Sequence, residues 1–197
     1  MTPLTKHDLL PYAEYELARQ TIRQNIIALK KRRRISVGPY ITLVFENRET
    51  LLFQIQEMIR TERIFEPEKV QEELDVYNAI LPADGNLSAT LFIEITQEED
   101  IQKRLDTFQN IDQPETVLIE VSDHKVDANF EAGHSKEDKI SAVHFVQFAP
   151  SPNWIDALKT LTCEVSMVIN HEQYQERQEV PEALRLEWLA DLGEALA

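Results

Sequence analysis

Glycine is scarce in this chain. Its 197 residues include four, Gly38, Gly85, Gly133 and Gly193, and no two stand near each other. Neither GxGxxG nor GxxxxGK followed by Ser or Thr can therefore be written, which excludes a dinucleotide fold of the usual kind and a Walker-type phosphate cradle. Cysteine is scarcer still. Cys163 stands alone, so there is no intramolecular disulfide, no CxxC redox pair and no four-thiolate cluster. Any iron–sulfur chemistry would have to come from another protein. As a structural residue Cys163 reads as a small buried apolar side chain in a strand, and the other reading is a reactive thiol. No run of eighteen apolar residues occurs, so no helix is expected to span a membrane. The start, MTPLTKHDLLPYAEYE, has no apolar core behind a basic end and no small-residue cleavage site, and the chain reads as cytoplasmic.

Familiar catalytic signatures are missing too. There is no HExxH and no GxSxG. The five histidines, His7, His124, His134, His144 and His171, include no two within nine residues of each other, which is not the spacing of a local ligand pair. His144 falls mid-strand with Val146 and Phe148 on its face and reads as a packed, hydrogen-bonded histidine. Glu57, Glu62, Glu66, Glu72, Glu73 and Asp75 resemble di-iron carboxylate helices, but the required Glu with a histidine three residues on is absent. They read as solvated faces. No metal site and no bound cofactor are expected.

What is present suits a globular α+β protein. Apolar residues make up 43% and charged residues 28%, and a chain of this length can bury roughly 70% of its unfolded surface without staples. One domain over 1–197 is expected, helix-rich over 1–112 and strand-rich over 113–197. The charge is split. Residues 1–69 hold 12 Lys/Arg against 9 Asp/Glu, and residues 70–197 hold 8 against 26, which accounts for the net −15. An acidic body repels nucleic acid and anionic membranes at long range, so neither is expected as a partner.

In chain order, Asp8 is placed to cap a helix with Pro11 in its first turn and a stripe of Tyr12, Tyr15, Ala18, Ile22, Ile26 and Leu29. It ends in Lys30, Lys31, Arg32, Arg33 and Arg34, cations that a helix C-terminus favours but that repel one another. Ile35, Val37, Ile41, Leu43 and Phe45 share one parity, a half-buried strand interrupted by Gly38-Pro39 at a bend or an edge. Asn47 is a candidate cap for a helix faced by Leu51, Leu52, Ile55, Met58 and Ile59, and Pro67 opens the next, through Val70, Leu74, Tyr77 and Leu81. A strand over Leu87–Ile95, a helix capped by Thr96, a hairpin of Val117–Val121 and Val126–Phe130, and a charged loop to Lys139 follow. A strand over Ile140–Phe148, a short helix near Trp154, a strand at Val165–Ile169 and a last helix from Pro181 complete the series. The pattern predicts a mixed, largely antiparallel sheet with helices packed mainly on one side.

The basic run admits three readings: a helix end paired with acidic neighbours, a site for a small anion, or a nucleic-acid contact, the last disfavoured because no aromatics interleave it. Lys30, Lys31, Arg32, Arg33, Arg34 and Arg48, with Glu46 and Glu57, are the candidate anion- or partner-binding residues. Arg32, Arg34 or Arg48 is expected to pair with Glu46, Glu57 or Glu62. The charge split also predicts a homodimer, the basic section of one copy on the acidic section of the other, with apolar contact from Trp188, Leu189 and Leu192.

The segments KKRRRISVGPYITLVFENRETLLFQIQEMIRTERI, EELDVYNAILP, LSATLFIEI and KEDKISAVHFVQF resemble the bacterial domain-of-unknown-function family 3501, from about Leu9 to about Phe148. The resemblance supplies no catalytic residues. It implies company with rubrerythrin-like proteins and an iron–sulfur oxidoreductase. The expectation is a non-catalytic accessory partner in a redox or peroxide-defence system. The alternative is an enzyme or sensor binding a small anion or metal near 30–34, in a pocket lined by Arg32, Arg34, Glu46, Arg48 and Glu57.

Overall fold

A computed structural model of the chain describes residues 1–95, 101–131, 140–160 and 162–194. Thr96, His134 and the charged loop over 132–139 lie outside the described residues. Helix α1 (Tyr12–Arg32) begins after Pro11, which holds the N-cap position. Asp8 does not cap it. It closes a 3-10 turn of its own, accepting from Thr5 N at 2.8 Å, because the backbone turns extended at Leu9 before the helix begins.

Strands β1 (Arg34–Val37) and β2 (Ile41–Glu46) form a hairpin with Val37 opposite Ile41. The interruption at Gly38-Pro39 is thus a turn, and Gly38 takes a left-handed φ of +64° that glycine adopts without a Cβ penalty. Asn47 caps α2 (Arg48–Glu62) as its side chain suggests: Oδ1 accepts from Thr50 N at 3.0 Å while Thr50 Oγ1 accepts from Asn47 N at 2.9 Å. After α3 (Pro67–Ile80) come β3 (Leu87–Ile93), α4 (Ile101–Asp106), β4 (Val117–Val121), β5 (His124–Phe130) and β6 (Val143–Phe148). Helix α5 (Pro152–Lys159), β7 (Val165–His171), β8 (Tyr174–Glu179) and α6 (Glu182–Asp191) complete the chain. Strand β8 is absent from the sequence reading, because Tyr174-Gln175-Glu176-Arg177-Gln178-Glu179 has no apolar alternation.

The eight strands make one sheet in the order β1-β2-β3-β6-β5-β4-β7-β8, antiparallel at each described pairing. It curls until its two edges meet. The Tyr174 hydroxyl on β8 donates to Val37 O at 2.6 Å and accepts from Tyr40 N at 3.2 Å. A nearly closed barrel leaves little unpaired strand edge.

Alternation along the strands sends one parity inward. Ile41, Leu43 and Phe45 on β2 meet Leu87, Ala89 and Leu91 on β3, with Val146, Phe148, Ile119 and Met167 across the interior. Trp154 and Leu158 of α5 and Leu184, Trp188 and Leu189 of α6 join this same cluster and plug the barrel. A second cluster sits outside the wall, where Leu51, Ile55 and Ile59 of α2 and Leu74 and Ile80 of α3 pack with Leu4 and Phe145. The helices therefore do not lie mainly on one side. Those of the N-terminal half cover the outer face and the last two fill the interior, because a sheet that curls into a barrel offers two apolar surfaces rather than one. Trp188 and Leu189, 0% and 1% exposed, are core residues and not available as a dimer contact. Cys163 is half-buried in the bend before β7 rather than in a strand, with Sγ 2.6 Å from Ser122 Oγ.

Candidate binding surface

The basic run is consumed by the fold. Arg33, fully buried, donates through Nε to Phe45 O at 2.7 Å and through Nη2 to Glu46 O at 3.3 Å. Its guanidinium also meets Glu187 at 3.0 Å, together with Asp191. Arg32 Nε reaches the other oxygen of Glu187 at 2.7 Å, and Arg34 reaches Glu94 at 2.9 Å. Arg48 pairs with Asp8 at 2.6 Å. All three arginines singled out for pairing do find carboxylates, but none finds Glu46, Glu57 or Glu62. The partners come from α6, from the end of β3 and from the N-terminal turn, which no local spacing reveals.

Glu46 is 1% exposed and accepts from Thr50, from Gln54 at 3.1 Å and from Thr90 at 2.8 Å, with Lys30 Nζ at 3.9 Å. Glu57 lies elsewhere, across the α1–α2 seam, held by both forks of Arg19 at 2.8 and 2.7 Å and by the Tyr15 hydroxyl at 2.7 Å. The pocket expected from Arg32, Arg34, Glu46, Arg48 and Glu57 is thus not assembled. Within the run only Lys31 makes no ion pair among the described residues.

These contacts set the charge states. The Arg19 fork holds the Glu57 carboxyl below its ordinary range against the opposing effect of burial. Burial pushes the Tyr15 hydroxyl up, and its bond to Glu57 adds to this. Burial also raises Glu187, but the two guanidiniums outweigh it and the net shift is downward. At Asp191 burial wins and its carboxyl is pushed up despite Arg33. Asp8 falls to about 2 through its bond to Arg48 and the Thr5 amide.

A cleft lies open between α1 and α2. Leu10, Ile22, Ile26, Leu52 and Phe53 form apolar walls, with Tyr15, Asn25, Gln56, Asp8 and Glu49 among them, around a volume of ≈ 280 Å³. Gln56 fixes one wall, accepting from Leu10 N at 2.9 Å and donating to Leu10 O at 3.1 Å. Glu49 is exposed at the rim and makes no ion pair among the described residues. Beyond Leu10, the exposed ring of Phe65, 62% accessible, meets Tyr12 edge-on at 5.5 Å. Ile22 and Ile26 belong to the stripe that the sequence shows on α1. Their pairing with Leu52 and Phe53 depends on how two helices pack, and no signal in one chain gives that.

Two of the histidines, His144 and His171, are buried and held by the fold. His144 Nε2 bonds Ser141 O at 2.8 Å, and His171 bonds Gln109 O at 2.7 Å and Gln173 N at 3.2 Å. Among the described residues no three His, Cys, Asp or Glu side chains are grouped to hold a metal ion, and no helix is long and apolar enough to cross a membrane.

A family model described as "Protein of unknown function (DUF3501)" matches residues 3–192. The chain belongs to this family. A crystal structure of a novel protein of unknown function from Burkholderia pseudomallei is similar to this DUF3501 chain. The two share 31% sequence identity at a TM-score of 0.89, over 97% of this chain and 100% of that one. No curated protein matches. The curled eight-stranded sheet with its two helix layers is thus the frame on which a function of the DUF3501 family has to be built.

Proposed function

We propose that this DUF3501 protein is a non-catalytic accessory protein of the cytoplasm that docks a partner in the α1–α2 cleft. The system is one of redox or peroxide defence containing rubrerythrin-like and iron–sulfur proteins. The observation that carries the docking is the contrast between two surfaces. The arginines of the basic run are committed to carboxylates of the same chain, whereas the cleft keeps Ile22, Leu52 and Phe53 open beside Glu49, which makes no ion pair among the described residues. Such a cleft suits an apolar anchor beside a cation, and a few well-buried anchors carry most of the energy of a protein interface. The redox setting is supported by the company that the family resemblance implies.

Calorimetric titration of the purified protein with an iron–sulfur oxidoreductase and with a rubrerythrin-like protein tests it. Micromolar binding is expected to one of them, weakened at least about tenfold by Ile22→Glu, which is ~1.4 kcal/mol. If neither binds, or if the variant binds as well as the parent, the reading fails. The competing reading, a small anion near Lys31, is checked by titrating inorganic phosphate, for which no saturable heat is expected.

A further inference from the structure

Helix α1 turns a second face to solvent, away from the cleft. Ala13, Leu17, Gln20, Gln24, Ile27 and Lys31 recur at alternating spacings of four and three, and all are exposed. Leu17 is 89% and Ile27 43% accessible. That spacing is a heptad seam, the pattern of a helix that faces another helix. The seam is also nearly symmetric about Ile22. Leu17 and Ile27 stand five residues on either side of it, Gln20 and Gln24 two, and Ala13 and Lys31 nine.

We propose that this face pairs with the same face of a second copy, the two α1 helices antiparallel across a two-fold axis at the level of Ile22. Leu17 of one copy then covers Ile27 of the other, twice. Gln20 and Gln24 meet at the centre, where carboxamides can donate and accept reciprocally. The ends match by charge. Glu14 near the N-terminus and Lys31 near the C-terminus make no ion pair among the described residues, whereas Glu16 is held by Arg60, Lys30 by Glu46 and Arg32 by Glu187. The antiparallel arrangement brings each free Glu14 beside the free Lys31 of its partner, and it opposes each helix dipole with the other. A parallel pair would stack Lys31 on Lys31 and leave Leu17 and Ile27 about 15 Å apart along the axis, at 1.5 Å per residue. Isologous pairing of this kind needs a surface complementary to itself, and a face with Leu17/Ile27 and Gln20/Gln24 matched about its midpoint and with ends of opposite charge is one. Net charge −15 makes two copies repel at long range, so association strengthens as salt rises from low to physiological levels.

Light scattering at micromolar concentration and physiological salt is expected to give twice the chain mass. Leu17→Glu should weaken the dimer at least about 100-fold without changing the circular dichroism, because that side chain touches little of its own chain. The register has its own readout. In a Cys163→Ser background, a mixture of Leu17→Cys and Ile27→Cys chains should form a disulfide-linked dimer on mild oxidation, and neither variant alone should do so. A monomeric parent, a dimer indifferent to Leu17→Glu, or cross-linking of the Leu17→Cys chain with itself would each overturn the proposal. These outcomes leave the cleft untouched, so they are independent of the partner titrations.

Discussion

Replacing Arg33 by Met should be the most damaging single change outside the apolar core. The guanidinium is 0% exposed and is the common donor for Phe45 O, Glu46 O, Glu187 and Asp191, joining α1, β2 and α6. Methionine fills a similar length but leaves Asp191, whose side chain is 7% exposed, as a buried anion without its counter-charge. Removing one partner of a buried pair costs about 3–5 kcal/mol, and the two abandoned carbonyls add part of ~1–3 kcal/mol each. On a chain of this size that corresponds to a fall in Tm of roughly 6–20 °C, taking 2–4 °C per kcal/mol. Burial already pushes the Asp191 carboxyl up, and without Arg33 nothing opposes it. A carboxyl with a folded pKa above its unfolded one costs stability as pH rises, so the penalty should be larger at pH 7 than at pH 4.5. Urea unfolding followed by circular dichroism at both pH values measures this. Arg33→Lys keeps the charge without the fork and should cost about half as much. Adding Asp191→Asn to Arg33→Met should recover part of the loss, with a coupling of about 1–3 kcal/mol. A loss below about 1 kcal/mol at pH 7, or one indifferent to pH, would refute the assignment of Arg33 as the counter-charge that holds α6 to the barrel.

The seam between β1 and β8 gives a second test. A Cβ on Gly38 would run into the Tyr174 hydroxyl and come within 2.7 Å of Glu176 Cγ at a φ of +64°, so Gly38→Ala should cost about 2 kcal/mol or more. Tyr174→Phe should cost about 1 kcal/mol and speed amide exchange in β1 and β8 first, and equal exchange in all strands would contradict the seam. Asn47→Ala removes the reciprocal cap of α2 and should cost ~1 kcal/mol in the same unfolding assay, against near zero if the cap is idle. Acid stability reports the carboxylates. Glu57 has its folded pKa below the ordinary 4.5 and Asp8 drops from 3.8 to about 2, so their stabilisation is complete above those ordinary values and is lost as pH falls through the lowered ones. Glu57→Gln should flatten the upper part of that decline, and an unchanged pH profile would show that the Arg19–Glu57 pair contributes nothing.

Local chemistry was legible wherever a single element decides it. The inward parity of Ile35, Val37, Ile41, Leu43 and Phe45, the cap at Asn47, Pro67 at a helix start and the hairpin over Val117–Phe130 all stand in the structure, because each is a rule about neighbours in sequence, whereas β2 is buried on both faces rather than half-buried. Strand β8 was invisible for the converse reason. It lies at the last edge of the order with Gln175, Arg177, Gln178 and Glu179 exposed, and its pairing with β7 supplies a stability that its side chains do not announce. The same limit explains the arginines. Five adjacent cations make pairing with carboxylates a physical necessity, but Glu187 and Asp191 are separated from Arg33 by 154 and 158 residues, and only closure of the barrel brings α6 there. Burying Arg33 then removes the strongest anion-binding group that the sequence offers, and it shifts the search for function from charge to the apolar surfaces of α1. That helix is held by Arg19, Tyr15, Ile26 and Leu29 and at its C-terminal end by Lys30 and Arg32, and it is open along the face of Leu17 and Ile27. This 21-residue helix leaves Tyr12, Leu17 and Ile27 exposed, an excess of apolar area that its own chain does not cover. On that excess both the cleft at Ile22 and the seam at Leu17 depend.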